Sequence, residues 1–229
     1  MLSKDFSPNR FEAAKKVAAN FVSGRESDNM GLVIFAGESF TALPMTTDRS
    51  LIANYINELR IGMLEDGTAV GDGLATAINR IKDGKAKSKS IILLTDGSNN
   101  TGNVAPLTAA EIAKKLGIKV YTIGVGRNGM APYPTQDMMG NISYTNMPVV
   151  IDEATLQNIA NTTGGKYFRA TSNSVLSDVF NEIDQLEKSR IDVQNFSHTE
   201  DNYMLFAIIA AALLALALVI RHAWLKPVP

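Results

Sequence analysis

Residues 89–102 read Lys89-Ser90-Ile91-Ile92-Leu93-Leu94-Thr95-Asp96-Gly97-Ser98-Asn99-Asn100-Thr101-Gly102. Aliphatic side chains run unbroken from Ile91 to Leu94, with charge before them and turn residues after. An alternating run would mark a strand with one wet face. A continuous run fits a strand covered on both faces. Such strands belong to open parallel α/β sheets, where ligands bind just beyond the strands' carboxyl ends. Asp96 falls at that tip. A bare carboxylate followed by small hydroxyl and amide residues suits a hard cation such as Mg2+. Asp-Gly is equally a common turn dipeptide, so this stretch alone leaves both readings open.

The chain around it has 229 residues, enough for one sizeable domain and an appendage. A formal net charge of -1 gives no bulk basicity toward nucleic acid. Cysteine is absent, which removes disulfides, thiolate metal sites and cysteine nucleophiles together. The two histidines, His198 and His222, lie near the C-terminus. That argues against a Ser-His-Asp hydrolase or a histidine zinc site in the main domain.

The sharpest compositional break is Tyr203 to Ile220, which contains no charge, Gly or Pro. Its length and all-round apolarity predict a membrane-spanning helix. Tyr203 and Trp224 flank it as interfacial aromatics, and Arg221, His222 and Lys226 follow it. From Ile191 to Asn202 there is no Lys or Arg. The positive-inside rule then places the C-terminus in the cytoplasm and the main domain outside. The expected division is a domain over 1–188, a juxtamembrane linker over 189–202, the span over 203–220 and a tail over 221–229. Met1-Leu2-Ser3-Lys4-Asp5 has no apolar core of a signal peptide.

Taken in order, Ser7-Pro8 predicts a helix start, with Ser7 as cap and a helix to about Ser23. Met30 to Ala36 reads as a buried strand, and Ser39 to Leu43 as a short strand joined to it through Gly37-Glu38. Thr47-Asp48 caps a second helix. Asp66-Gly67-Thr68 precedes a helix reaching Ile81, and Thr68 serves either as its N-cap or as a hydroxyl ligand. Pro106 to Leu116 is a helix, and Lys119 to Val125 is a strand. The tail of that strand matches G-x-G-x-x-G from Gly124 to Gly129, a dinucleotide motif that needs a helix directly after it. Met130-Ala131-Pro132-Tyr133-Pro134 cannot open one, so the match is set aside. Arg127 to Val150 reads as an irregular insert, with a small hairpin turning at Thr145-Asn146. Asp152 caps a helix ending at Gly164-Gly165, Lys166 to Ala170 is a last strand, and a final helix runs to about Lys188. Strands alternating with helices predict a doubly wound, mostly parallel sheet.

These residues resemble a von Willebrand factor A domain, through Asp66-Gly67-Thr68 before a helix and Thr95-Asp96-Gly97 after a buried strand. More narrowly, the chain is similar to the membrane-anchored A-domain proteins of the bacterial aerotolerance (Bat) group. That likeness rests on Phe6-Ser7-Pro8-Asn9-Arg10-Phe11-Glu12-Ala13-Ala14-Lys15, Pro132-Tyr133-Pro134, Asp152-Glu153-Ala154-Thr155-Leu156, Gly164-Gly165-Lys166-Tyr167-Phe168 and the apolar C-terminal segment. The resemblance implies a non-enzymatic protein-interaction module on a bacterial inner membrane, with its domain in the periplasm and a role in stress or aerotolerance. It implies a metal-ion-dependent adhesion site for Mg2+ or another divalent cation, with Thr68 and Asp96 as ligands and Asp66 as a weaker, outer candidate. It also implies sister A-domain membrane proteins and a MoxR-type AAA+ ATPase as associates. The family's D-x-S-x-S motif and the central strand before it have no counterpart here. The expectation is therefore a fragment or an internal start. It includes either a gap between the Leu32–Ala36 and Ile91–Thr95 strands or a direct re-pairing of those two, and too few ligands for this chain to hold Mg2+ by itself.

Two other readings stand beside this one. In the first, the domain is a metal-independent structural scaffold. In the second, it is a receiver-like or phosphoryl-transfer domain using Asp96 as acceptor, which requires more carboxylates and a lysine at a later strand end. The insert follows a strand, so it is expected at the same edge as Asp96, presenting Tyr133 and Met138 to a partner.

Overall fold

The computed structural model describes residues 1–136, 142–149, 151–194 and 203–223. In chain order the elements are α1 (Arg10–Ser23), β1 (Met30–Phe35), β2 (Ser39–Thr46), α2 (Arg49–Glu58), α3 (Val70–Ile81), β3 (Ser90–Thr95), α4 (Pro106–Lys115), β4 (Lys119–Val125), β5 (Gly129–Gln136), β6 (Ile142–Val149), α5 (Glu153–Thr163), β7 (Tyr167–Ala170), α6 (Asn173–Gln194) and α7 (Tyr203–Ala223). Chain contacts divide it into two units, Met1–Ser189 and Arg190–Pro229.

The Ile91–Leu94 run forms β3, paired in parallel with β4, which in turn pairs in parallel with β7. Alternate side chains go to opposite faces of this sheet. Ile92 and Leu94 meet Ala13 and Ala14 of α1 and Leu176, Phe180 and Ile183 of α6. Ile91 and Leu93 meet Leu74 and Ile78 of α3, Ala109 and Ala113 of α4, and Ile159 of α5. Both faces are covered, which is why the run lacks polar breaks.

The remaining strand predictions are corrected in part. β1 pairs antiparallel with β2 and makes no ladder with β3, so the parallel sheet holds three strands among the described residues, not four. The expected gap between β1 and β3 is present. The two strands nevertheless end at one edge. Ala36 O accepts from Ala69 N at 2.7 Å, and Thr68 O, next along the same loop, accepts from Asn100 N at 3.0 Å. The small hairpin expected around Thr145-Asn146 is instead one strand, β6, lying against β5. Pro132 and Pro134 do not prevent this. They sit opposite Asn146 and Tyr144, at non-hydrogen-bonded positions where a strand's N–H and C=O point away from its partner. Pro132 O accordingly accepts from Lys4 N on the outer edge, at 3.0 Å.

Several caps fall where the sequence placed them. Asp48 accepts from Leu51 N at 2.9 Å and Asp152 from Thr155 N at 3.0 Å. Gly164 ends α5 in the left-handed region at φ 72°, which favours glycine. The first helix differs, because its cap is Asn9, accepting from Glu12 N at 2.9 Å, and not Ser7. Asn carries an oxygen with the reach to N3, so the chain starts the helix at the later of the two candidates. Thr68 is not a cap either. Ala69 occupies that position with no side-chain bond.

The expected span over 203–220 is met as a helix, α7, whose side chains from Phe206 to Val219 are all apolar, with Phe206 72% and Leu214 64% exposed. Among the described residues, however, no helix is long and apolar enough to cross a membrane.

Leu74 is 1% exposed and packs α3 onto β3. Leu74→Ala is expected to cost about 2–5 kcal/mol, through lost burial and the cavity left behind. Chemical denaturation followed by circular dichroism measures it, and a change under about 0.5 kcal/mol, the range of an ordinary surface substitution, contradicts the packing described.

Candidate functional site

Asp96 stands at the end of β3, half-buried, as the strand reading required. Its Oδ2 accepts from Arg10 Nη1 at 3.3 Å and pairs with the Met1 amino group. Arg10 is fully buried. Its Nε and Nη2 donate to the two oxygens of Asp5, each at 2.7 Å, in the planar fork that suits a carboxylate. Asp5 also accepts from Arg127 N at 3.3 Å. Burial by itself would raise the Asp5 pKa, but the Arg10 fork and charge outweigh it and hold the carboxyl below its ordinary value. Burial likewise opposes the charge on Arg10, and Asp5, with Asp96 behind it, reverses that and raises the guanidinium pKa. Gly126, at φ 116°, lies against this group, where a Cβ would fall 2.3 Å from Arg10 Cζ.

Thr68 reaches the same edge from the loop before α3. Its N–H donates to Asn100 Oδ1 at 2.8 Å, and its carbonyl accepts from Asn100 N. This double bond lays the Thr68 hydroxyl beside the β3 tip, 3.3 Å from where a Cβ on Gly97 would lie. Thr68 and Asp96 are therefore brought together. Asp66 contributes its backbone instead, since its carbonyl lies 2.8 Å from a Cβ built on Gly37 while its side chain is exposed.

The insert joins this edge. A cleft of ≈ 360 Å³ is lined by Arg10, Asp96, Tyr133, Met147 and Val149 among others. Tyr133 is half-buried and faces this cleft, where exposure was expected. The reason is alternation: Ala131 and Tyr133 share the inner face of β5, and Ala131 is 3% exposed. The outward side chains of the hairpin are Met130, 66% exposed, and Tyr144, 49% exposed, the latter under Lys4 Nζ at 4.1 Å from the ring centroid. Met138 lies outside the described residues. The base of the hairpin is tied down by Arg169, which donates to Gly126 O at 2.8 Å and to Glu153 Oε1 at 2.6 Å.

Mg2+ takes near-octahedral oxygen coordination. Thr68 and Asp96 supply one hydroxyl and one carboxylate, and that carboxylate already faces a guanidinium. Among the described residues no group of three or more acidic, histidine or cysteine side chains stands ready for a metal. The donor set as placed does not fit a divalent cation. The acceptor chemistry of a receiver-like domain also lacks its lysine here. The cations at Asp96 are Arg10 and the Met1 amino group, and Arg127 turns away, donating through Nε to Thr171 O at 3.3 Å.

Arg10 and Asp5 are the site residues that sequence reasoning passed over. Both stood in the segment Asp5-Phe6-Ser7-Pro8-Asn9-Arg10, read only as a helix start, and nothing local shows that this arginine is buried.

A three-layer α/β fold with an acid at a strand tip and a threonine beside it is compatible with many functions and fixes no one chemistry. The chain belongs to the von Willebrand factor type A domain family, whose model matches residues 1–182. It is similar to the crystal structure of BatB from Bacteroides thetaiotaomicron, at 31% identity and a TM-score of 0.68, over 82% of this chain and 93% of that one. It is also similar to an aerotolerance-related membrane protein from Bacteroides fragilis, at 30% identity and a TM-score of 0.67, over 80% of this chain and 91% of that one. Among curated relatives, an uncharacterized protein of Borreliella burgdorferi is 28% identical over 97% of this chain and 65% of its own length. A UPF0353 protein of Mycolicibacterium paratuberculosis is 32% identical over 80% of this chain and 56% of its own length. The chain thus spans about two thirds or less of these curated relatives. A mussel byssus matrix protein with zinc in its MIDAS motif shares the fold at 21% identity.

Asp5 and Asp184 both have lowered pKa values in the folded state, Asp184 through Lys188 and Arg25 against the effect of its own burial. A carboxyl depressed by folding stabilises fully above its unfolded pKa, and that contribution is lost as pH falls through the folded value. Stability is therefore expected to decline on acidification below the ordinary carboxylate range. Asp5→Asn should flatten that decline and lower stability at neutral pH. Urea midpoints across pH, compared with the parent, test this. Parallel curves would remove Asp5 as a contributor.

Proposed function

We propose that this chain is a non-enzymatic, membrane-tethered interaction module that meets its partner at the sheet's carboxyl edge. The observation that carries the reading is the gathering of Asp96, Arg10 and the inner face of the β5–β6 hairpin around one cleft, with Thr68 beside the β3 tip. Long inserts beside a strand-tip acid are usual places for recognition. On this reading Tyr133 and Met147, which line the cleft, supply apolar contact area and Asp96 the polar register. Residues 203–220 form the anchor in a bacterial inner membrane, with the domain over 1–188 on the periplasmic side, the linker over 189–202 and a cytoplasmic tail over 221–229. The likeness to aerotolerance-related membrane proteins supports a place in an envelope complex, with sister A-domain proteins and a MoxR-type ATPase as the associates to look for.

The metal-independent form of this module is favoured by a specific observation: Arg10 stands at Asp96, where an adhesion site would need a free carboxylate. Calorimetric titration with Mg2+ at millimolar concentration is expected to give no saturable heat, and saturable heat abolished by Asp96→Ala would reverse that conclusion. For the partner surface, residues 129–149 are replaced by a Gly-Ser turn. Crosslinking in native membranes should then lose the partner species that the unaltered chain captures, while its circular dichroism stays that of a folded α/β domain. Unchanged capture after the swap rejects the hairpin as the recognition surface.

A further inference from the structure

The net charge of -1 conceals a local concentration of lysines. The connection from α3 to β3 carries Lys82, Lys85 and Lys87, all exposed, with Asp83 as its acid. The last turn of α4 adds Lys114 and Lys115, also exposed, with Glu111 one turn before them. Both groups lie at the amino edge of the parallel sheet, because β3 and β4 start side by side, Ser90 opposite Lys119. Lys89 bends back over the same loop, its Nζ donating to Lys82 O at 2.5 Å. At the opposite, carboxyl edge the exposed charges in the loops are mixed, Glu38, Glu65 and Asp66 beside Lys4, Arg60 and Arg127.

The chain leaves the domain at the basic edge. The start of α6 is at the carboxyl edge, where Asn173 Nδ2 donates to Ser7 O at 2.7 Å. Its later turns reach the amino edge. Glu187 accepts from Tyr121 Oη at 2.6 Å, near the start of β4, and from Ser88 Oγ at 3.3 Å, just before β3. Lys188, 58% exposed, follows directly. The end of the first unit, Met1–Ser189, is therefore at the edge that carries the lysines.

We propose that the amino edge, centred on Lys82, Lys85, Lys87, Lys114 and Lys115, is a docking surface for the anionic headgroups of the phospholipid bilayer. Lysines on flexible stems suit a diffuse layer of lipid phosphate better than a single shaped anion, and they act together at a charged surface within a Debye length. The carboxyl edge, with its exposed charges of both signs, has no comparable run of lysines. Docking by the lysines thus turns Asp96 and the β5–β6 hairpin away from the bilayer, toward a partner. The anchor in α7 comes from the proposed function, while the lysine surface does not depend on it.

The full chain is placed in nanodiscs of phosphatidylcholine alone or of phosphatidylcholine with phosphatidylglycerol, and lysine acetylation rates are read by mass spectrometry. Lys82, Lys85 and Lys87 should react several-fold more slowly in the anionic discs, and high salt should restore the rate. In the variant K82E/K85E/K87E, the protection of Lys114 and Lys115 should disappear. Equal rates in the two discs overturn the proposal. So does equal protection of these lysines in neutral discs by a duplex oligonucleotide at physiological salt, which would make the surface a nucleic-acid site. A chain that fails to enter discs of either kind counts against the anchor. The same labelling with preformed vesicles of the two compositions then decides the lysine surface, by the same criterion.

Discussion

A guanidinium without solvent contact has to be surrounded by its counter-charges, and in this protein that demand organises the functional edge. Arg10 is fully buried and spends all of its fork on two acids. Asp5 comes from the N-terminal segment, Arg10 from the first turn of α1, and Asp96 from the tip of β3. The Arg127 N–H that completes Asp5 and the close approach of Gly126 bring in the connection from β4 to β5. Removing one partner of such a pair leaves a charge buried alone, at a cost of about 3–5 kcal/mol. The pair is weak evidence for stability in itself, since an apolar replacement of the whole cluster would be tolerated. Its consequence is geometric, because four separate chain segments meet at one point.

The same cluster sets the electrostatics of this edge. A divalent cation needs several oxygens free to turn toward it. Here the single carboxylate at the strand tip is turned toward arginine, and the threonine hydroxyl beside it has no second acid. The edge therefore brings Thr68 and Asp96 together with the acid already turned toward a cation.

A second constraint is the break in hydrogen bonding between β1 and β3. Two helices hold the pieces together. α3 sets Leu74 and Ile78 on the β3 side, and Phe35 of β1 lies against Gly73, where a Cβ would fall 2.8 Å from the ring. On the other face α1 places Ala13 and Ala14 toward β3 and Ala19 and Val22 in a cluster with Met30 and Leu32. Side-chain packing, not a backbone ladder, carries the connection. The Phe21–Phe180 edge contact, with ring centroids 5.2 Å apart, closes the same layer.

Much of this was legible in the sequence. The unbroken aliphatic run at 91–94 specifies a strand buried on both faces, because no polar residue interrupts it, and 119–125 is a buried strand in which Tyr121 and Thr122 find hydrogen-bond partners. Asp48, Asp152 and Gly164 mark helix ends by chemistry that acts within four residues. Asp96 at a strand tip and Thr68 before a helix follow from those same local rules. The β5–β6 pairing was missed because two prolines argue against a strand, and only the partner strand reveals that both sit where no ladder bond is needed. Arg10 was missed because burial of an arginine is a property of what packs over it: α1, the β4–β5 connection and the tip of β3 are remote in sequence and meet only in the fold. Short-range chemistry determined the elements and their ends. The position of each charge relative to the others depends on contacts across 80 residues or more, such as Arg10 with Asp96, and only the tertiary structure decides those.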